Sequence, residues 1–136
     1  MLLELTTSQS ASQWLRARVT GQLRTDSRQV GSGDGFLAWP GAAVDARKHV
    51  DAALAAGASA CLVERSGIEE FAFDDPRIAS YTGLKAASGQ IAGDWFGNPS
   101  EALAVLAVTG TNGKTSSTWW LAQALSNLEQ PTKILC

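Results

Sequence analysis

The feature that most constrains the fold is a glycine-containing loop near the carboxyl end of the chain. An apolar run at residues 105–108 stops at the sequence Thr-Gly-Thr-Asn-Gly-Lys-Thr of residues 109–115, and apolar residues then recur at helical spacing. This order predicts a strand, a phosphate-binding loop and a helix. Glycines allow a tight turn that points backbone N–H groups at phosphate oxygens, and the helix N-terminus adds positive potential.

Two side chains of this loop have the chemistry that a bound nucleotide requires. Lys114 is predicted to reach the terminal phosphates, and Thr115 is predicted to offer its hydroxyl to Mg²⁺. Val108 stands where the full Walker A pattern has its first glycine, so the match to that pattern is incomplete. At this point an ordinary strand-to-helix turn with an exposed lysine stays open as the alternative.

The position of the loop predicts how the chain is divided. The chain has 136 residues, enough for one domain with a core. Little sequence follows the loop, whereas a buried parallel strand needs neighbours on both sides. We therefore expect a complete domain at residues 1–98 and the start of a truncated second domain at residues 99–136, in a chain derived from a longer protein. The Gly-Asn-Pro-Ser sequence at residues 97–100 is typical of such a boundary.

Composition excludes several classes of partner. The net charge is −2, which provides no basic field for nucleic acid. No apolar run approaches the length of a membrane span, and residues 1–5 lack the features of a signal peptide. Cys61 and Cys136 form neither a disulfide framework nor a metal-ligand spacing, so we expect a reducing, cytoplasmic location.

The sequence before the loop alternates predicted strands and helices. A strand at residues 36–39, a helix that Asp45 caps and Gly57 ends, and a strand at residues 60–63 form one unit, which predicts parallel pairing and an α/β fold. The other predictions are helices at residues 8–19 and 82–95, a strand end at residues 23–25, a loop over residues 65–81, a last helix that Pro131 ends, and a short strand at residues 134–136.

Several polar or aromatic residues admit a functional reading and a structural one. Asp26, Ser27 and Arg28 could hold a polar ligand, although an Asp-Ser pair before a turn is more often only a turn. The structural reading is favoured for the others. We expect Arg47 and Lys48 to form a solvated face, His49 to be half-buried or on the surface, Asp74 and Asp75 to be solvated and not catalytic, and at least one of Trp119 and Trp120 to lie in a core.

Taken together, these motifs resemble the ATP-dependent Mur ligases of peptidoglycan synthesis, and the resemblance covers nearly the whole chain. That family also lacks the first Walker glycine. Two departures are Gly35, where the family prefers a large apolar residue, and Ala46, where it prefers glycine; either could alter the uridine-side loops. The matching segments are Asp26-Ser27-Arg28, Gly33-Asp34, Phe36-Leu37-Ala38, Gly41, Asp45, Gly57-Ala58, Cys61-Leu62-Val63-Glu64, Asn98-Pro99-Ser100 and Val108–Thr115.

The resemblance implies an α/β fold in which a uridine-binding domain precedes the first strand, phosphate loop and helix of an incomplete ATPase domain. It implies ATP and Mg²⁺ as cofactors, with Lys114 catalytic and Thr115 a metal ligand. It also implies the substrates UDP-N-acetylmuramoyl-L-alanyl-D-glutamate and an amino acid, diaminopimelate or lysine. The carboxylate of the first is activated as an acyl phosphate, and the amine of the second then displaces phosphate to form an amide bond. The implied nucleotide-binding residues are Gly110, Thr111, Asn112, Gly113, Lys114, Thr115 and Ser116; the implied substrate-binding residues are Thr25, Ser27, Ala42, Ala43 and Val44.

Two further functions remain open besides a ligase fragment, which we expect to be inactive alone. One is a non-catalytic uridine-nucleotide binding module with a vestigial phosphate loop. The other is a generic phosphate-loop ATPase unrelated to the cell wall. Titration with UDP-N-acetylmuramoyl-dipeptide distinguishes the last of these, because such an ATPase should not bind that ligand.

Overall fold

The computed structural model describes residues 2–135, apart from the side chain of Ser100, and divides the chain into two compact units. The units are Met1–Ala102 and Leu103–Cys136. The first unit includes a short 3-10 helix at Pro99–Ala102. The domain boundary that the sequence suggests between residues 98 and 99 stays a prediction.

The first unit is built on a parallel sheet of five strands. Every pairing within it is parallel, which confirms the α/β class and the predicted pairing of residues 36–39 with residues 60–63. All five strands therefore end at the same edge of the sheet, here called the carboxyl edge. The strands are β1 (Leu3–Leu5), β2 (Leu23–Arg24), β3 (Gly35–Ala38), β4 (Ala60–Glu64) and β5 (Ile78–Tyr81), in the spatial order β1-β5-β4-β3-β2.

Helices cover both faces of this sheet. Helices α1 (Ser8–Arg16) and α3 (Leu84–Phe96) pack against each other and against one face, and α2 (Val50–Ala55) packs against the other. Successive residues of a strand point to opposite faces, so Leu62 joins the core under α1 and α3 while Val63 joins the core under α2. This two-sided burial explains why residues 36–38 of β3 and 60–63 of β4 are apolar without a break.

Most of the predicted elements of this unit are present, but the sequence analysis does not predict the strands β1 and β5. Thr7 caps α1, and Asp45 caps a 3-10 helix at Ala46–His49 that leads into α2. The loop predicted over residues 65–81 is wrong at its end, because Ile78–Tyr81 is a wholly buried strand that pairs with β1 and β4. Both missed strands are short, and their hydrogen-bonding partners are distant in sequence.

The second unit contains one helix, α4 (Lys114–Asn127), among its described residues. The predicted strand at residues 105–108 is absent there, and residues 134 and 135 are not a strand either; Cys136 lies outside the described residues. A strand requires a neighbour for its backbone N–H and C=O groups, and the described part of this unit offers none. Trp119 and Trp120 are 50% and 68% exposed, so the prediction that one of them lies in a core is also wrong.

No helix within residues 2–135 is both long enough and apolar enough to cross a membrane.

Candidate functional site

In the first unit, the residues predicted to bind the uridine end of a substrate lie on two loops at the carboxyl edge. Thr25 and Ser27 follow β2, and Ala42, Ala43 and Val44 follow β3. Because β2 and β3 are neighbouring parallel strands, these loops leave the same edge side by side. Thr25 and the three residues after β3 are exposed, and Ser27 is half-buried.

The loop after β2 is closed by an ion pair. The Arg28 backbone N–H and Nε both donate to Asp26 Oδ1, at 3.0 and 2.9 Å, and Arg28 Nη2 donates to Oδ2 at 2.6 Å. The Arg28 guanidinium lowers the pKa of Asp26 to about 2. The carboxylate also caps the 3-10 helix Ser27–Gln29. Asp26 and Arg28 thus neutralise each other, and their first role is to shape the turn that presents Thr25 and Ser27.

The loop after β3 is a tight, closed turn. Pro40 forms a backbone bridge with Asp45, and the Gly41 N–H donates to the Val44 carbonyl at 2.9 Å. A Cβ at residue 41 would lie 2.7 Å from that carbonyl oxygen, so the turn requires glycine. Ala42, Ala43 and Val44 therefore project from a rigid base, with Val44 57% exposed.

Arg47 anchors this turn and was misjudged from the sequence. It was expected on a solvated face with Lys48, but it is only 5% exposed, whereas Lys48 is exposed. Its guanidinium binds Asp45 and also donates to the carbonyls of Glu64 and Ser66. The Asp45 pKa is lowered by this hydrogen bonding with Arg47. The Asp-x-Arg spacing, which also occurs at residues 26–28, is a sequence signal for the pairing of Arg47 with Asp45 but not for the burial of Arg47.

Glu64 is a second polar residue whose role the sequence did not reveal. It ends β4, is 9% exposed, and its carboxylate accepts the N–H groups of Gly83 and Leu84 at 3.1 and 2.8 Å. It also accepts the Ser66 N–H at 3.1 Å. The N-terminus of α3 therefore already holds a protein carboxylate, whereas Thr25 and residues 42–44, on the loops after β2 and β3, are exposed.

The two departures from the family pattern lie in different places. Gly35 begins β3 and so lies at the opposite edge from the loop of residues 42–44. Val19 and Leu23 fill the space there, since a Cβ on Gly35 would be 2.8 Å and 2.9 Å from their methyl groups. Ala46 directly follows Asp45 and packs against the core under α2. Of the two, only Ala46 adjoins a predicted binding loop.

The remaining polar candidates have no ligand-like arrangement. His49 and Asp74 are exposed, as expected, whereas Asp75 pairs with Arg77 at 2.6 Å. Cys61 is a free thiol inside β4, and burial raises its pKa to about 12, so it is neither a nucleophile nor a metal ligand at neutral pH. Within residues 2–135 no group of three or more His, Cys, Asp or Glu side chains could hold a metal ion.

In the second unit, the predicted nucleotide-binding residues form an exposed loop and the first turn of α4. Gly110 and Gly113 have φ angles of 149° and 75°, and Lys114 is the first helical residue. The Lys114 ammonium folds back and donates to the Gly110 carbonyl. No side chain caps the helix at Gly113. The structure thus brings Gly110 through Ser116 together in a loop that leads into a helix N-terminus.

This loop fits the phosphates of a nucleotide in its chemistry. The first turn of a helix leaves backbone N–H groups without intrahelical acceptors, and those of α4 begin at an exposed loop with an adjacent ammonium group. Thr115 has an exposed hydroxyl that can serve as one oxygen ligand of Mg²⁺. The other oxygen ligands of such an ion would have to come from the phosphates, water or residues elsewhere.

Comparison with known proteins identifies relatives over nearly the whole chain. The family described as Mur ligase family, catalytic domain, matches residues 21–94. A UDP-N-acetylmuramoyl-L-alanyl-D-glutamate--2,6-diaminopimelate ligase of Acidovorax sp. (strain JS42) is 62% identical over 126 residues, which cover 93% of this chain and 25% of that protein. A ligase of the same name from Pseudomonas putida (strain KT2440) is 48% identical over 80% of this chain and 22% of its own length.

Solved structures of Mur ligases are also similar to this chain. The MurF ligase of Thermotoga maritima in complex with ADP superposes with a TM-score of 0.61 and 29% identity, over 84% of this chain and 24% of that one. A MurF structure from Acinetobacter baumannii has a TM-score of 0.57 and 29% identity, over 94% of this chain and 29% of that one. The chain thus spans about a quarter of the length of the relatives it matches. From its sequence and its fold, this chain belongs to the Mur ligase family.

Proposed function

We propose that this chain is part of an ATP-dependent ligase that joins diaminopimelate to UDP-N-acetylmuramoyl-L-alanyl-D-glutamate in peptidoglycan synthesis. The observation that supports this most strongly is the 62% identity, over 93% of the chain, with a ligase of that name. The residue patterns alone left diaminopimelate and lysine open as the added amino acid. We favour diaminopimelate because it is named in the relatives that match this chain.

The uridine end of the substrate is proposed to bind the carboxyl edge of the first unit. The support is geometric: the loops that hold Thr25 and Ser27 and residues 42–44 leave neighbouring parallel strands, and such edges are where open α/β sheets bind ligands. Backbone groups and the Ser27 hydroxyl can hydrogen-bond the uracil, while Val44 offers an apolar surface to it.

The phosphate loop is proposed to bind ATP. A carboxylate of the substrate attacks the γ-phosphate to form an acyl phosphate, and the amine of the amino acid then displaces phosphate to form the amide. Lys114 and the N–H groups at the start of α4 neutralise the phosphate charge that grows during the transfer. Bound Mg²⁺, with the Thr115 hydroxyl as one ligand, supplies further charge neutralisation. The cytoplasmic location and the absence of nucleic-acid partners stay part of this proposal.

The uridine part of the proposal is tested by calorimetric titration of the chain with UDP-N-acetylmuramoyl-L-alanyl-D-glutamate. We expect saturable binding that Ser27→Ala weakens by roughly tenfold, about the value of one hydrogen bond to a bound ligand. Ser88→Ala is the matched control, because Ser88 is also half-buried but lies within α3. An absence of binding by the unaltered chain would contradict this part of the proposal and favour the generic ATPase.

The ATP part of the proposal competes with a uridine-binding module that has a vestigial phosphate loop. The exposed loop and the missing strand at residues 105–108 are the observations that favour this second function. We expect a protein that includes this chain to have ligase activity, and Lys114→Met to lower its kcat by at least roughly a hundredfold, whereas Lys133→Met should not. An absence of ligase activity in that protein, or unchanged activity in Lys114→Met, would support the vestigial loop.

A further inference from the structure

We propose that Arg47 is a positioning residue, which holds the turn of residues 42–44 in the conformation that receives the uridine end of the substrate. This inference rests on the proposed function, because it concerns the same carboxyl edge. Arg47 itself is buried and does not need to touch the ligand. It acts through Asp45, the residue at which the turn returns to the body of the unit.

The guanidinium of Arg47 binds in three directions at once. Nε and Nη2 donate to the Asp45 carboxylate, at 3.0 Å to Oδ1 and 2.7 Å to Oδ2. Nη1 donates to the carbonyl of Glu64 at 3.2 Å and to that of Ser66 at 2.6 Å. The carbon of the guanidinium lies 4.8 Å from the ring centre of Phe71. The base of the turn is thereby tied to the end of β4 and to the segment that follows it.

Asp45 transmits this constraint to the exposed residues. Its backbone pairs with Pro40, and the Ala46 N–H donates to the Trp39 carbonyl at 3.2 Å. Residues 41–44, which lie between Pro40 and Asp45, form the turn that the Gly41 N–H closes by donating to the Val44 carbonyl. A displacement of Asp45 would therefore move residues 42–44 as a group relative to Thr25 and Ser27.

The same Asp-x-Arg pairing occurs at two other places in the chain, and a comparison of the three pairs shows how Arg47 differs from Arg28 and Arg77. In Asp26–Arg28 and Asp75–Arg77 the guanidinium donates to its own aspartate, and the arginine side chains are 87% and 47% exposed. Arg47 alone of the three combines that pairing with burial and with bonds to another strand segment. Arg77 precedes β5, at the edge of the sheet opposite the predicted binding loops, and so provides a matched control.

The test compares Arg47→Lys with Arg77→Lys in the 136-residue chain. Lysine keeps the charge but cannot reproduce the planar fork that reaches the carboxylate and the carbonyls together. Two quantities are measured: the Kd for UDP-N-acetylmuramoyl-L-alanyl-D-glutamate, and amide hydrogen exchange at Gly41 and Ala46. Exchange at Leu62, in the middle of the sheet, reports any general loss of stability. Phe71→Leu is a milder second variant, because it removes only the ring beneath the guanidinium.

We expect Arg47→Lys to weaken binding by roughly tenfold and to speed exchange at Gly41 and Ala46 relative to Leu62 by a similar factor. Phe71→Leu should change both in the same direction by less, and Arg77→Lys should change neither. If the unaltered chain binds the ligand and both Arg47→Lys and Phe71→Leu leave Kd or the relative exchange unchanged, the inference is overturned while the proposed function stands. If the unaltered chain does not bind, the uridine site itself is refuted.

Discussion

Helices α3 and α4 begin in the same local conformation but in different surroundings. Each follows a glycine with φ of 75°, Gly83 or Gly113, and in neither case does the capping residue supply a side-chain hydrogen bond. At α3 the Glu64 carboxylate accepts the free N–H groups. At α4 the corresponding turn is exposed. A helix N-terminus attracts an anion in both cases; in the first unit the protein supplies it, and in the second we propose that a phosphate does.

Helices α3 and α4 also differ in how they pack. Leu84 and Ile91 of α3 are fully buried against the sheet, whereas none of the described residues of α4 is buried. The glycine loop and the helix after it need only local sequence. A strand and a core need partners, which the first unit has and which the described part of the second unit lacks. Substitutions in the two units should therefore have effects of different size.

The largest difference is expected between matched leucines. Leu62 is fully buried in the middle of the sheet, and Leu128 at the end of α4 is 70% exposed. Leu62→Ala should lower the free energy of unfolding by about 2 to 5 kcal/mol, since it removes buried surface and leaves a cavity. Leu128→Ala should change it by no more than about 0.5 kcal/mol. Denaturant unfolding followed by circular dichroism measures both, and equal effects would contradict the contrast in burial.

A smaller effect is expected when the carboxylate at the start of α3 is removed. Glu64→Ala leaves the N–H groups of Gly83, Leu84 and Ser66 without their acceptor, which should cost about 1 to 3 kcal/mol of unfolding free energy. Glu69→Ala is the control, because Glu69 is exposed. A loss in Glu64→Ala no larger than in the control would show that α3 does not depend on this cap.

Asp34 supplies a pH-dependent test of the first unit. Its pKa lies below the ordinary 3.8 because the backbone N–H groups of Gln22 and Gly31, and then Arg24, hydrogen-bond its carboxylate. A lowered folded-state pKa adds stability that is complete above the unfolded pKa and is lost as pH falls through the folded value. Asp34→Asn should therefore cost about 1 to 2 kcal/mol at pH 7.

The difference between that variant and the unaltered chain should shrink as pH falls below about 4. Urea unfolding at a series of pH values measures it, and Asp74→Asn, at an exposed position, is the control. A difference that stays constant down to pH 2 would mean that the charge of Asp34 does not contribute.

The smallest effect is expected at the two glycines themselves. A Cβ at Gly83 or Gly113 would meet no heavy atom within 4 Å, so Gly→Ala costs only the strain of a left-handed residue. We expect about 1 kcal/mol for Gly83→Ala. Gly113→Ala should appear as reduced helicity at the start of α4, read from Cα chemical shifts. No change at either position would show that the left-handed starts are not required.

The sequence by itself was sufficient for the elements whose signals are local. The helical spacing of Leu84, Ala87 and Ile91, the turn at Gly57 and the cap at Asp45 are all present as predicted. The helix after the phosphate loop is also present, and the combination of motifs already indicated the Mur ligase family. These features depend on residues within a few positions of one another, so short-range geometry determines them.

Only the tertiary structure decided what depends on distant partners. Ile78–Tyr81 becomes a strand because β1 and β4 flank it, and residues 105–108 do not because the described part of their unit offers no neighbour. Arg47 is buried because Glu64 and Ser66, far along the chain, present carbonyls to it. The physical reason is the same in each case: a buried polar group must find a hydrogen-bond partner, and the sequence does not say where the fold will place one.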